Sequence, residues 1–105
     1  MTRRTRKAAA RATMKLVLFV AGASPNSVAA IANLQALRAG ALAGRSELEI
    51  VDVFEHAERA SAEGVLVTPT LLRLEPAPKC RIVGNLSNTE LVLRTLTHAG
   101  KASSL

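Results

Sequence analysis

The 105-residue chain is long enough for one domain, and its 49% hydrophobic content argues against disorder over most of its length. Six of its fourteen basic residues lie within residues 1–15, which hold no acid, whereas from Leu16 onward eight basic residues face eight acidic ones. The lone cysteine, Cys80, excludes an internal disulfide framework and a multi-cysteine zinc site, and no run approaches the roughly eighteen apolar residues of a membrane span.

The first thirteen residues show no apolar periodicity, and we expect them to form a disordered basic arm ahead of a domain over residues 14–100 and a polar tail, 101–105. Such an arm can bind phosphates without sequence specificity, but nucleic acid is an unlikely partner. Alternatively, Met14, which directly precedes the first predicted strand, is the true first residue of the protein. A secretory signal is disfavoured because cleavage after Ala23 would remove the first strand, so we expect a cytoplasmic protein.

A near-continuous apolar run over residues 15–21 predicts a strand covered on both faces. Ser24 is placed to cap a helix that has Pro25 in its first position. A three-residue step predicts the core-facing stripe of this helix, formed by Val28, Ile31, Leu34 and Leu37.

A second strand over residues 48–53 should pair parallel with the first because a helix connects them. Asp52 at its end is interpreted as a cap for the next helix. That helix, residues 55–63, has little apolar face and is the weakest predicted element. Phe19 and Phe54 are the only aromatic residues, and both are assigned to the core.

Pro69, between two threonines, precedes two predicted strands, residues 71–74 and 81–83, which are joined by a hairpin loop over 75–79. Ser87 and Glu90 have the spacing of a capping box for a last helix. The apolar face of this helix is predicted from Leu91, Leu93 or Val92, and Leu96.

The resulting order, β-α-β-α-β-β-α, predicts an α/β thioredoxin-like fold with helices on both faces of the sheet. Redox members of that fold carry Cys-x-x-Cys after the first strand, where this chain has Ala23-Ser24-Pro25-Asn26. Cys80 alternates with Ile82 in a strand and is expected to be buried and inert. We predict no catalytic, cofactor or metal site, so function should lie in binding.

The chain resembles the KaiB family of small clock proteins over about residues 15–98. The resemblance is carried by five segments: Phe19-Val20-Ala21-Gly22, Ser24-Pro25-Asn26-Ser27, Val51-Asp52-Val53, Thr68-Pro69-Thr70-Leu71 and Arg81-Ile82-Val83-Gly84-Asn85-Leu86-Ser87-Asn88. The departures, such as Asn85 for a usual aspartate and Ala77 within a usual proline run, favour a relative from outside the cyanobacteria.

The resemblance implies a non-enzymatic regulator that binds a KaiC-type ATPase ring and forms a dimer or tetramer, with a SasA-type kinase as a further candidate partner. It also implies a metamorphic chain whose alternative tetrameric state has the order β-α-β-β-α-α-β. The residues expected to serve structure or fold switching are Pro25, Asn26, Asp52, Pro69, Pro76, Pro78, Gly84, Ser87 and Asn88. Those expected to contact a partner are Glu55, Glu58, Arg59 and Glu63.

Two other functions remain open at this point. One is a redox or glutathione-handling protein, which the missing Cys-x-x-Cys disfavours, although glutathione binding beside a cis-proline does not strictly need cysteine. The other is a nucleic-acid binder acting through the basic arm. A disulfide-reductase assay and a gel shift at physiological salt would separate these from an ATPase-binding regulator.

Overall fold

The structure, a computed structural model, describes residues 13–98, so the predicted tail and all of the predicted arm except Thr13 lie outside the described residues. Seven elements follow in the predicted order: β1 (Met14–Val20), α1 (Pro25–Ala39), β2 (Ser46–Asp52), α2 (Ala57–Ala62), β3 (Thr70–Glu75), β4 (Cys80–Val83) and α3 (Thr89–Thr97). Each differs from its predicted bounds by at most two or three residues. No helix among the described residues is both long enough and apolar enough to cross a membrane.

The four strands form one sheet in the order β2-β1-β3-β4. β1 pairs in parallel with β2, as the helical connection predicted, and β3 pairs antiparallel with both β1 and β4. Phe19 lies opposite Thr70, and Thr70 lies opposite Val83. The carboxyl ends of β1, β2 and β4 and the start of β3 therefore meet at one end of the sheet, which we call the loop end.

The core lies on both faces of the sheet because β1 alternates between them. Leu16, Leu18 and Val20 pack with α1 and α3 on one face, whereas Val17 and Phe19 pack with α2 on the other. Two core assignments were wrong. Val28 of α1 is 51% exposed, since the buried stripe of α1 runs through Ser27, Ala30, Leu34 and Leu37. Phe54 is 77% exposed because the chain has already left β2 and turned away from the sheet.

The helix starts also differ in detail from expectation. Ser24 precedes α1 as predicted, but its hydroxyl donates to Ser27 Oγ at 2.9 Å instead of capping the helix. The capping box was wrong, because the last helix is capped by Asn88, whose Oδ1 accepts from the Leu91 N–H at 3.1 Å. α3 buries Val92, Thr95 and Leu96, with Leu91 and Leu93 half-buried.

One buried charge was not predicted from the sequence. Arg73 of β3 is 1% exposed on the face covered by α1 and α3. Its guanidinium donates from Nη1 to the Leu96 carbonyl at 2.5 Å and from Nη2 to the Pro78 carbonyl at 2.6 Å. Its neighbour across the β3–β4 pair is Cys80, which is buried as predicted, and burial raises the pKa of the Cys80 thiol.

Candidate functional site

The loop between β1 and α1 occupies the place where redox relatives of this fold carry their thiols. It turns at Gly22, whose φ of +56° favours glycine. The buried Ser27 hydroxyl accepts from the Ala21 N–H at 3.1 Å and from Ser24 Oγ at 2.9 Å, which ties the loop to the first turn of the helix. Pro25 and Asn26 are exposed at the start of α1. The loop is therefore ordered and carries no thiol.

Asp52 joins this loop to the end of β2. Its Oδ1 accepts from the Gly22 N–H at 3.2 Å and from the Phe54 N–H at 2.9 Å. The predicted capping of the next helix was wrong, because α2 begins only at Ala57 and its N-cap position is His56. Asp52 thus sets where the chain turns away from the sheet and leaves Phe54 facing outward.

Two further segments complete the loop end. The Thr68–Pro69 peptide bond is cis. Thr70 Oγ1 donates to the Val67 carbonyl at 2.7 Å, and the Gly84 N–H donates to the Pro69 carbonyl at 3.0 Å. The segment before β3 is thereby bound to the first residue of β3 and to the residue after β4.

Four exposed apolar side chains surround these loops, and we call them the loop-end rim: Phe54, Leu66, Val67 and Val83. Their exposed fractions are 77%, 92%, 51% and 57%. Sequence reasoning missed this group because it read Phe54 as core and residues 65–67 as the approach to a strand. The available signal was that Leu66 and Val67 lie between Gly64 and Pro69, two residues that interrupt helices and strands, and belong to no periodic pattern.

The four predicted partner-contacting residues divide into two pairs. Glu55 and Glu58 are exposed, and Glu58 lies 3.8 Å from His56 Nδ1. Arg59 instead forms a two-point ion pair with Glu49 of β2, and their hydrogen bonds lower the pKa of Glu49 and raise that of Arg59. Of the four, Glu55 and Glu58 thus face solvent around the start of α2.

Glu63, the last of the four, lies at the other end of α2. Its Oε1 is 3.3 Å from Lys79 Nζ, and Arg81 donates to the Glu63 and Gly64 carbonyls at 2.9 and 3.0 Å. These contacts, together with the Arg59–Glu49 pair, attach α2 to strands on both of its sides. The Arg59 and Glu63 side chains are therefore paired within the chain, whereas Glu55 and Glu58 form no ion pair with a described lysine or arginine.

The remaining predicted structural residues are not all brought together. Gly84 lies at the loop end, beside Pro69. Pro76 and Pro78, each after a cis bond, lie in the exposed hairpin loop at the opposite end of β3. The Ser87 N–H donates to Asn85 Oδ1 at 3.0 Å, forming the turn before the Asn88 cap. These residues serve local structure at three separate places.

The rest of the described chain, residues 13–98, offers a cavity and no metal site. No group of three or more His, Cys, Asp and Glu side chains in this range could hold a metal ion. A cavity of about 370 Å³ lies against the α2-covered face, near the amino ends of β1 and β2, with Val17 and Leu74 on its floor and Glu47 and Arg59 at its edge. It lies away from the loop end, and the paired Arg59 and Glu49 are both among the residues that line it.

Comparison with solved structures places the fold. The chain superposes on the germline-specific thioredoxin Deadhead of Drosophila melanogaster with a TM-score of 0.69 at 14% identity, covering 91% of each chain. It superposes on the N-terminal domain of Synechococcus elongatus SasA with a TM-score of 0.65 at 20% identity, covering 78% of each. At these identities the likeness shows the thioredoxin-like fold alone.

Comparison of sequences is more specific. The chain is 44% identical over 78 residues to the circadian clock protein KaiB3 of Synechocystis, covering 74% of this chain and 76% of the relative. It is 41% identical over 83 residues to the circadian clock oscillator protein KaiB of Thermosynechococcus vestitus, covering 79% and 77%. The KaiB domain family model matches residues 17–98. The chain therefore belongs to the KaiB family.

Proposed function

We propose that this chain is a non-enzymatic clock or timing regulator that binds a KaiC-type ATPase ring and modulates its phosphorylation cycle. The observation that carries the proposal is the family match over residues 17–98, whose relatives are named circadian clock proteins. The geometry agrees with a binding role, because the ordered loop after β1 carries no thiol and exposed apolar side chains lie at the same end of the sheet.

Redox or glutathione chemistry is the alternative on this fold, and the described residues disfavour it. A dithiol enzyme needs a reactive thiolate beside a second thiol. Cys80 is buried at the hairpin end of β4, the opposite end of the sheet from Ala23 and Asn26, and burial raises the pKa of its thiol. In an insulin-reduction assay with a dithiol donor, we expect no rate above buffer; a rate that disappears in Cys80→Ser would overturn the non-enzymatic assignment.

The metamorphic behaviour implied by the family is proposed for this chain as well. Two packings can coexist when neither is strongly preferred locally. α2 has only six residues, well below the length at which a helix is stable alone, and it buries only Ala60. Backbone NMR shifts of the dilute protein would test the resting state: we expect helical shifts over residues 91–96, whereas strand shifts there would show that the alternative order dominates.

Partners and location follow from the same proposal. We expect a dimer or tetramer in the free protein, a cytoplasmic location shared with the ATPase, and a SasA-type kinase as a competing or additional partner. The deciding experiment mixes the chain with the KaiC-type ATPase of its own organism and follows co-elution in size-exclusion chromatography, with the ATPase phosphorylation state as a second readout. Failure to co-elute with any nucleotide state of the ATPase would refute the proposed function.

A further inference from the structure

We infer that α2 is a lid over one face of the sheet, that it opens as a unit while the rest of the domain stays folded, and that ionic strength sets how often it opens. The face beneath it carries the buried side chains of Val17, Phe19 and Leu72. The inference goes beyond the proposed function, because the opening needs no ATPase and no change in the order of the strands.

α2 is bound to the sheet by little apolar surface. It buries only Ala60, whereas α1 buries four residues and α3 buries three. Its six residues are also too few for a helix that is stable on its own. The position of α2 on the sheet therefore depends strongly on its polar contacts with the strands, and charged side chains make all of those in the described chain.

These charged contacts lie on both sides of α2. On one side Arg59 forms its two-point ion pair with Glu49 of β2, in which Arg59 Nη2 lies 2.9 Å from Glu49 Oε1. On the other side Lys79 Nζ lies 3.3 Å from Glu63 Oε1, and Arg81 of β4 donates to the Glu63 carbonyl at 2.9 Å. The side chains of Arg59, Glu49 and Lys79 are 41%, 54% and 63% exposed. Each of these contacts is therefore weak, and dissolved salt weakens it further.

Two turns bound the segment that opens. On the amino side, the Asp52 carbonyl accepts from the His56 N–H at 3.0 Å, and the Asp52 carboxylate binds the Gly22 N–H, so this turn is anchored to the loop after β1. On the carboxyl side, the chain turns at Gly64, whose φ of +70° favours glycine. Because α2 is not stable alone, its release from the sheet and the loss of its internal hydrogen bonds are one event, which makes the opening cooperative.

The opening controls access to the face beneath α2. The cavity of about 370 Å³ already reaches this face beside α2, with Val17 and Leu74 on its floor and the paired Arg59 and Glu49 among its lining residues. Breaking this ion pair and releasing α2 extends the cavity along β1 toward Phe19, which lies on the same face as Val17. The ion pairs of α2 therefore decide when these apolar side chains meet solvent.

Amide hydrogen exchange of the full chain, followed by NMR, tests the lid. The Ala60 and Val65 N–H groups, which donate to the His56 and Ala60 carbonyls, report on α2, and the Leu18 N–H in the central strand is the reference. We expect protection factors for the two reporters at least about tenfold lower than that of Leu18. Raising the salt concentration from about 0.05 to about 0.5 M should lower the reporters' protection about threefold and change that of Leu18 less.

Glu49→Gln tests the ion pair, and Glu47→Gln is its matched control. Both acids lie on the same face of β2 and line the cavity, but Glu47 forms no ion pair with a described lysine or arginine. We expect Glu49→Gln to lower the protection of Ala60 and Val65 about threefold and to reduce its salt dependence, and Glu47→Gln to change neither. Equal protection of Ala60, Val65 and Leu18 in the wild type would overturn the lid, because α2 would then open only when the whole domain unfolds. Reporter protection that neither salt nor Glu49→Gln changes would overturn the ionic control.

Discussion

Replacing Arg73 tests how this fold stabilises a buried cation that no carboxylate of the described chain neutralises. Its two hydrogen bonds join the Pro78 carbonyl of the hairpin loop to the Leu96 carbonyl of α3, and its Nε has no hydrogen-bond partner among the described residues. Leu96 lies in the last turn of α3, where carbonyls lack intrahelical donors and the helix dipole is negative. The guanidinium therefore supplies both donors and positive charge to this helix end.

The expected loss can be worked from these contacts. Arg73→Ala removes two hydrogen bonds from a charged donor, each contributing about 1.5–3 kcal/mol, and leaves a cavity costing about 2–5 kcal/mol. Removing a buried charge offsets several kcal/mol of this. We expect a net loss of about 3 kcal/mol in the free energy of unfolding, which lowers Tm by roughly 12–24 °C. Arg73→Met preserves the packing of the stem and should lose only about 1 kcal/mol.

Urea denaturation followed by far-ultraviolet circular dichroism measures these losses, since the chain has no tryptophan or tyrosine to report by fluorescence. Arg94→Ala on the exposed face of α3 is the control, and we expect it to change stability by less than about 0.5 kcal/mol. An Arg73→Ala variant as stable as the wild type would refute the reasoning. Equal losses for alanine and methionine would show that packing of the stem contributes nothing.

Three further outcomes are expected. Asp52→Ala removes the acceptor of the Gly22 and Phe54 N–H groups and should lower the free energy of unfolding by about 2 kcal/mol in urea denaturation. Asp52→Asn keeps an acceptor and should lose less, so equal losses in the two variants would contradict the role given to these hydrogen bonds. Burial raises the pKa of the Cys80 thiol in the folded protein, so a thiol reagent should react far more slowly with native than with denatured protein, and equal rates would show that the thiol is accessible. Because the unfolded chain loses the thiol proton at lower pH than the folded one, stability should fall as pH rises above the ordinary thiol pKa. Deleting residues 1–13, which hold no apolar face to bury, should change Tm by no more than a few degrees in a thermal scan, and a larger fall would show that they dock on the domain.

The element order was predictable from the sequence because it depends on local patterns. The apolar run of β1 is as short as a strand and is followed by a glycine, so it predicts a strand covered on both faces, and Ser24-Pro25 predicts the start of a helix. The helical connection between two strands implied their parallel pairing, and the short β3–β4 loop implied an antiparallel one. The absence of a thiol from the loop after β1 was likewise visible in the residues alone.

The candidate site was decided by tertiary structure. Phe19 and Phe54 were both predicted to be core residues, but Phe19 is buried and Phe54 is exposed. The difference arises because the Asp52 carboxylate accepts hydrogen bonds from two N–H groups and turns the chain after β2. As a charged residue, Arg73 would be expected at the surface. Its burial is explained only by the packed fold, in which the guanidinium reaches carbonyls of both the hairpin loop and α3. Local sequence determines which residues form helices and strands, but burial, ion pairing and the continuity of a surface depend on residues far apart in the chain, and only the packed fold brings those residues together.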